Sequence, residues 1–397
     1  MSGQEPIRDQ SLQTPSPVVP PETPPQQLYT GEVIYILAFD IAYEMKRQAI
    51  TTLLGQPVSQ FSVDASKRTP KAGFFYRSQT VRLLDVERMS PRGVIRMARS
   101  VKILPVGAIS ITVRIPFEIH HLEELVPLHA PKFSDGQTLT DLVRQWAQEI
   151  RDELRPLLIR PSANLGDEEA YTVFCIDAPI VTREGKIFSG ESWLMENRRR
   201  VAALLTEEDA PQRLSEQEAV ESTNRYLSYY DQDLVVPDWD AALIIEEPRY
   251  RDEVIYIMEL ANLQLAELEA YDKILDGAVE TAYRDVSPGN NRSLQQLRNW
   301  RVQAQLQELR VDMARVTDEL SNITKFFGDW HLARIYQAIS SRFHLSDWRL
   351  TVEDKLKTLD EIYQLLRAEQ NYRIMLVLEI LIVLLFVADI VVLLFPK

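Results

Sequence analysis

Two carboxylates, Glu379 and Asp389, interrupt an apolar run from Ile374 to Phe395. Each lies within about 8 Å of the midpoint of that run, and ten residues of helix place them ~80° apart around its axis. A carboxylate inside hydrocarbon costs several kcal/mol unless it is protonated, paired or facing water. Three kinds of chemistry fit: hydrogen bonding or proton sharing across a symmetric bundle, Glu379 reaching toward headgroups, or an ion path.

A second set of residues could bind anions. Between Lys67 and Lys102 stand Lys67, Arg68, Lys71, Arg77, Arg82, Arg88, Arg92, Arg96, Arg99 and Lys102 against Asp85 and Glu87, a local charge of +8 in a chain of net charge −14. Ser90 as N-cap and Pro91 at the first helical position predict a helix there, with Arg92, Arg96 and Arg99 on one face. Such a stripe fits RNA phosphates or anionic lipid headgroups; it equally fits a solvated face paired with the chain's own acids. Arg198–Arg200 repeats the ambiguity on a smaller scale.

Other constellations are weak. His120, His121, Glu123, Glu124 and His129 are crowded but lack the HExxH spacing that puts two histidines on one helical face. His331 and His344 have no partner at suitable spacing. The single cysteine, Cys175, lies in an apolar strand and is expected to be an inert core thiol. No Walker, Rossmann or nucleophile-elbow motif occurs. No cofactor, metal site or catalytic residue is expected.

These residues need elements to hold them. Residues 1–30 carry seven prolines and read as a disordered, partly polyproline II arm. Val33–Phe39 predicts a buried strand and Ile41–Leu54 a helix. Val101–Leu104, Ala108–Pro116 and Tyr171–Ile176 predict further strands. Leu139, Leu142, Trp146, Ile150 and Leu154 recur at helical spacing within 138–158. Met195–Leu205 predicts another helix, and Ser215 with Glu218 a capping box. Tyr226–Tyr230 and Ala241–Ile245 predict a hairpin. Residues 31–247 therefore read as a layered α/β domain, plausibly ferredoxin-like.

After Pro248 the period changes. Val254, Met258, Ala261, Leu265, Leu268 and Leu275 follow a heptad seam. After a turn at Pro288–Asn291, a seam recurs from Val302 to Phe327, so 248–345 reads as a helical hairpin region. A short helix is expected around Ala333–Phe343. Leu356, Leu359, Tyr363 and Leu366 line a stalk helix (346–373) that runs unbroken into a transmembrane helix (374–395). About 22 apolar residues span ~33 Å, enough to cross a bilayer core. The stalk is expected either to join copies or to fold back within one chain.

The acidic balance argues against general nucleic-acid binding, DNA included. One cysteine excludes an intrachain disulfide and is compatible with a reducing compartment. The first ten residues lack a signal-peptide core, so the bulk of the chain is expected in the cytosol.

Around FFGDWHLARIYQAISSRFHLSDWRLTVEDKLKTLDEIYQLLRAEQ, followed by VLEILIVLLFVADIVVLLF, the sequence resembles the C-terminal end of the RMD/YagE-type proteins. The carrying features are Asp329-Trp330, Tyr336, Lys355-Leu356, Leu366-Arg367 and Leu378-Glu379 opening the apolar run. Ile34–Asp40 also suits that family's N-terminal strand. The resemblance implies a self-assembling single-pass membrane protein with no enzyme activity, and mitochondrial members are implicated in supporting translation at the inner membrane.

The fold class expected is thus α+β, with one C-terminal transmembrane helix. The function expected is a non-enzymatic, homo-oligomeric membrane scaffold that tethers a partner, such as an RNA-protein assembly or anionic lipid, to the bilayer. The alternative is an oligomeric ion-conducting membrane protein. Against it stand one span rather than two and the lack of a Gly-Met-Asn filter motif.

Overall fold

The computed structural model describes residues 28–46, 48–60, 79–104, 107–162, 165–166, 168–181, 185–286, 310–311 and 330–394. The expected proline-rich arm up to residue 27, the Pro288–Asn291 turn and nearly all of the Val302–Phe327 helix lie outside them.

Nine strands form one mixed sheet, in the order β10-β11-β9-β1-β7-β6-β5-β4-β3. β1 (Tyr29–Asp40) is an interior strand, antiparallel to both its neighbours, β7 (Ala108–Ile119) and β9 (Glu169–Asp177). Val33 to Phe39 is a continuous apolar run because both faces of this strand are covered. Val33, Tyr35, Leu37 and Phe39 join one core, and Ile34, Ile36 and Ala38 join the core on the opposite face. The first core is closed by α1 (Leu139–Leu154), α2 (Gly190–Leu205) and the 3-10 turn Leu122–Leu128. The second is closed by α4 (Pro248–Val286) and α5 (Trp330–Arg342).

The helix ends follow from capping chemistry. Thr138 accepts from the Asp141 backbone N–H while Asp141 reaches back to Thr138, which starts α1. Ser215 caps α3 (Glu216–Thr223) by accepting from the Glu218 N–H at 3.0 Å, which is half of the expected capping box.

The ferredoxin-like, anchor-bearing fold is corrected to this nine-stranded sheet with helices on both faces. One cause is local. The expected helix over Ile41–Leu54 is instead β2 (Ala42–Met45) and β3 (Thr52–Leu53). β2 pairs with β8 (Leu158–Pro161), and the Ile41 and Ala42 N–H groups both donate to the Gly107 carbonyl at 3.0 Å. The other cause is a long run of hairpin-type connections: β4 (Gln56–Gln60), β5 (Gln79–Ser90), β6 (Gly93–Ile103) and β7 succeed one another as antiparallel neighbours. The hairpin expected between Tyr226–Tyr230 and Ala241–Ile245 forms from β10 (Leu234–Pro237) and β11 (Ala241–Glu246); Leu227 makes only a single bridge, to Val235. β11 is parallel to β9, the one parallel pairing in this order.

Gly107 fixes the turn into β7. Its φ is +92°, and a Cβ there would fall 1.9 Å from the Ala42 carbonyl oxygen. Gly107→Ala is therefore expected to cost ~3 kcal/mol, from backbone strain plus the clash. A drop of about 6–12 °C in Tm checks this; an unchanged Tm contradicts it.

The last helix, α6 (Leu345–Leu394), packs its first half against α4. Val352, Leu356, Leu359 and Tyr363 meet Leu275 and Ala282, and the Lys355 ammonium bridges Asp272 at 2.7 Å and Asp276 at 2.6 Å. Over that stretch the seam is satisfied within one chain.

Among the described residues no helix is long and apolar enough to cross a membrane. The expected single-pass anchor over 374–395 and the membrane localisation are corrected on that finding.

Candidate functional site

The expected arginine stripe does not form. Residues 79–103 fold as the β5–β6 hairpin, and the Ser90–Pro91 pair that signalled a helix start closes its turn. The Ser90 hydroxyl donates to the Gly93 carbonyl at 2.9 Å and accepts from the Arg92 N–H at 3.2 Å. Strand pairing with β5 and β7 outweighs the local helix signal, and a period of two replaces a period of 3.6. Arg92 falls in the turn, Arg96 shares a parity with Lys102, and Arg99 points to the opposite face.

Each basic group that is described meets a different partner. Arg96 donates to Asp85 from Nε at 3.2 Å and Nη2 at 3.0 Å. The Arg99 guanidinium stacks 4.2 Å over Trp146 and donates to the Leu84 carbonyl at 2.8 and 3.0 Å. Lys102 is bound to the buried Glu259 of α4 and lies 4.9 Å over the Tyr256 ring. Arg92 shares a surface recess with His121, Glu123 and Glu124. Lys67, Arg68 and Lys71 lie outside the described residues, as does the side chain of Asp389. Glu379 is on the exposed part of α6.

The crowded histidines serve structure. The Glu124 carboxylate accepts from the His120 and His121 N–H groups at 3.0 and 2.8 Å and caps the 3-10 turn. His129 is buried, 2.6 Å from the Leu204 carbonyl and 3.2 Å from Glu207; burial pulls its pKa down. No group of three or more metal-ligating side chains occurs among the described residues. Cys175 is fully buried, and burial pushes its thiol far above the ordinary range.

A partly buried ion network centred on the buried Arg251 escaped the sequence reading. Arg251, in the first turn of α4, donates to Glu32 of β1 at 3.0 Å and to Asp177 at the end of β9. Arg114 of β7 donates to the same Glu32 oxygen at 3.1 Å and to Asp252 at 2.5 Å. Thr30 completes it with a 2.9 Å hydrogen bond to Asp177. Burial opposes the charge on Arg114, yet Glu32 and Asp252 hold its pKa above the ordinary value. The one signal in the sequence is that charged residues stand in apolar strand runs, Glu32 before VIYILAF and Arg114 within SITVRIPF.

At the opposite end of β9, Glu169 is pushed up to about 7 by burial and then by Glu269 and Asp240. A carboxyl whose folded pKa is raised binds more protons folded than unfolded, so it favours folding below ~4.5 and loses that contribution as pH rises toward 7. Glu169→Gln is therefore expected to raise Tm by a few degrees at pH 8 and to leave it nearly unchanged at pH 4. Equal shifts at both pH values contradict the assignment.

The part of α6 beyond its contact with α4 is of another kind. Among the described residues, fourteen large apolar side chains between Ile374 and Ile390 are 40–65% exposed in the single chain, and they occupy every face of the helix.

The fold and these contacts define an α+β protein built on one large mixed sheet, with its helical end carrying the uncovered surface. The chain belongs to the family described as "Uncharacterized protein MJ0711, N-terminal domain", whose model matches residues 30–251. It is 24% identical over 228 residues to the uncharacterized protein MJ0711 of Methanocaldococcus jannaschii, covering 56% of this chain and 65% of that protein. The chain thus spans just under two thirds of the length of the curated relative it matches. No solved structure matches. The match corrects the RMD/YagE resemblance, whose main motifs lie beyond residue 325 and outside the matched segment. That segment ends at Arg251, so the Glu32, Arg114, Asp177 and Arg251 side chains all fall within it.

Proposed function

We propose that the chain is a non-enzymatic, self-assembling scaffold. Its copies join through residues 374–390 of α6, and each copy presents its sheet domain at the periphery. The observation that carries this reading is the all-round exposure of Ile374–Ile390. Contiguous apolar surface of this extent marks an interaction site. A helix apolar on all sides needs cover on all sides. A two-stranded coil covers only one stripe of each helix, so the assembly holds at least three copies. In such a bundle the Glu379 side chains approach one another, and a carboxyl that keeps its proton can donate a hydrogen bond to the carboxylate of another copy.

The intramolecular pairing of Val352–Tyr363 with α4 supports the same division of labour, since it leaves the distal half of α6 for other copies. The ion-conducting alternative presupposed a membrane-crossing helix, and it is not carried forward.

Sedimentation velocity or native mass measurement on the full chain tests the proposal. Particles of at least three times 45.8 kDa are expected. A chain that stays at one copy while dispersed and folded overturns it.

A further inference from the structure

One carboxylate stands in the midst of the exposed apolar end of α6. Glu379 has Met375 and Leu376 one turn before it and Ile382 and Val383 one turn after it on the same side of the helix. Phe386 follows two turns on. All five are large apolar side chains left open to solvent in the single chain. A cover laid over this strip takes the Glu379 side chain out of water with it.

No cation is placed to pair with that carboxylate. The sequence has no Lys or Arg between Arg373 and Lys397. Arg373 stands six positions back, about 9 Å along the axis and ~120° around it. Asp389, the other ionisable group of the run, carries the same sign. Among the described residues the apolar contact of α6 with α4 reaches no further than Tyr363, so α4 supplies no partner either. Copies that meet through the same segment bring only the same set, one Glu379 and one Asp389 each, with no base between Arg373 and Lys397.

A solvated glutamate has released its proton by pH 6. Under an apolar cover the charged form is penalised by desolvation, and carboxylates of neighbouring copies penalise it again. The neutral form escapes both penalties and donates a hydrogen bond to a second carboxyl. Copies that join therefore bind protons. A group favoured uncharged in the joined state contributes fully at low pH and loses that contribution as pH rises, so association weakens toward alkaline pH.

We propose that Glu379 makes the assembly acid-responsive: copies take up protons there as they join, so acid tightens the bundle and alkali loosens it. This inference rests on joining through residues 374–390, as proposed above.

Sedimentation velocity on dilution series of the full chain at pH 8 and pH 6 tests it. The concentration at half-assembly should fall ~10-fold for each unit of pH for one proton bound per copy, and ~3-fold for one proton shared between two copies. Glu379→Gln keeps the shape and removes the titration. It should assemble at pH 8 about as tightly as the native chain does at pH 6, with the response to pH gone. A native chain that assembles equally at both pH values, yet falls to single copies with Leu381→Glu and Leu385→Glu, overturns the proton link and leaves the joint standing. A response that persists in Glu379→Gln belongs to other groups, Asp389 among them, and overturns the assignment to Glu379. Single copies throughout overturn the joint and this inference together.

Discussion

Replacing Arg251 with alanine is expected to destabilise the folded chain by about 3–5 kcal/mol, the range for removing one partner of a buried ion pair. Only 6% of the Arg251 side chain is exposed, and two carboxylates from different strands depend on it. Without it, Glu32 keeps the Arg114 bond at 3.1 Å and Asp177 keeps Thr30 at 2.9 Å, but each loses its shared guanidinium in a site that water reaches poorly. The loss should appear as a lower urea midpoint with little change in the slope of the transition. Arg251→Lys should recover only part of it, because an ammonium cannot hold two carboxylates in the planar fork that guanidinium offers. Combining Arg251→Met with Glu32→Gln and Asp177→Asn should cost less than Arg251→Ala alone, since no charge is left uncompensated. A triple variant less stable than Arg251→Ala contradicts the network account.

Charges placed in the proposed interface should have the largest effect on assembly. Leu381→Glu and Leu385→Glu lie one helical turn apart, 51% and 60% exposed in the single chain. With at least three copies the pair brings six or more like charges into one bundle. A penalty of ~2 kcal/mol for each buried carboxylate gives ~4 kcal/mol per copy, or about a thousandfold weaker association. The altered chain should sediment as units of 45.8 kDa. Its sheet domain should unfold at the unaltered temperature, because both cores on the sheet lie outside residues 374–390. Unchanged particle mass excludes this segment as the joint.

What could be read from the sequence were elements whose signal is local and periodic. β1 over Val33–Phe39 and β9 over Val173–Ile176 are apolar without a break because both faces are covered, and α1 shows its buried stripe of Leu139, Leu142, Trp146, Ile150 and Leu154 at helical spacing. What could not be read depended on distant partners. Residues 41–54 have helix-like apolar spacing, yet the Gly107 carbonyl and the Leu158–Pro161 strand draw 41–45 into extended pairing. Arg92, Arg96 and Arg99 fit a helical face equally well until β5 pairs with them. Glu32 and Arg251 stand 219 positions apart, so no window along the chain shows that they share an ion pair. The basic segment was legible as charge but not as a site, because its counter-ions Asp85 and Glu259 arrive from a neighbouring strand and from a helix on the sheet's second face.

Cross-linking along α6 tests the self-assembling scaffold most directly. The native Cys175 is fully buried and will not compete. Leu376→Cys, Val383→Cys and Ile390→Cys, each made singly in the full chain and treated with a short bis-maleimide in intact producing cells, should yield covalently linked copies. Leu350→Cys, on the same helix and 53% exposed, should yield none. Linkage at Leu350 alone, or at none of the four positions, would contradict an assembly joined through the apolar end of this helix.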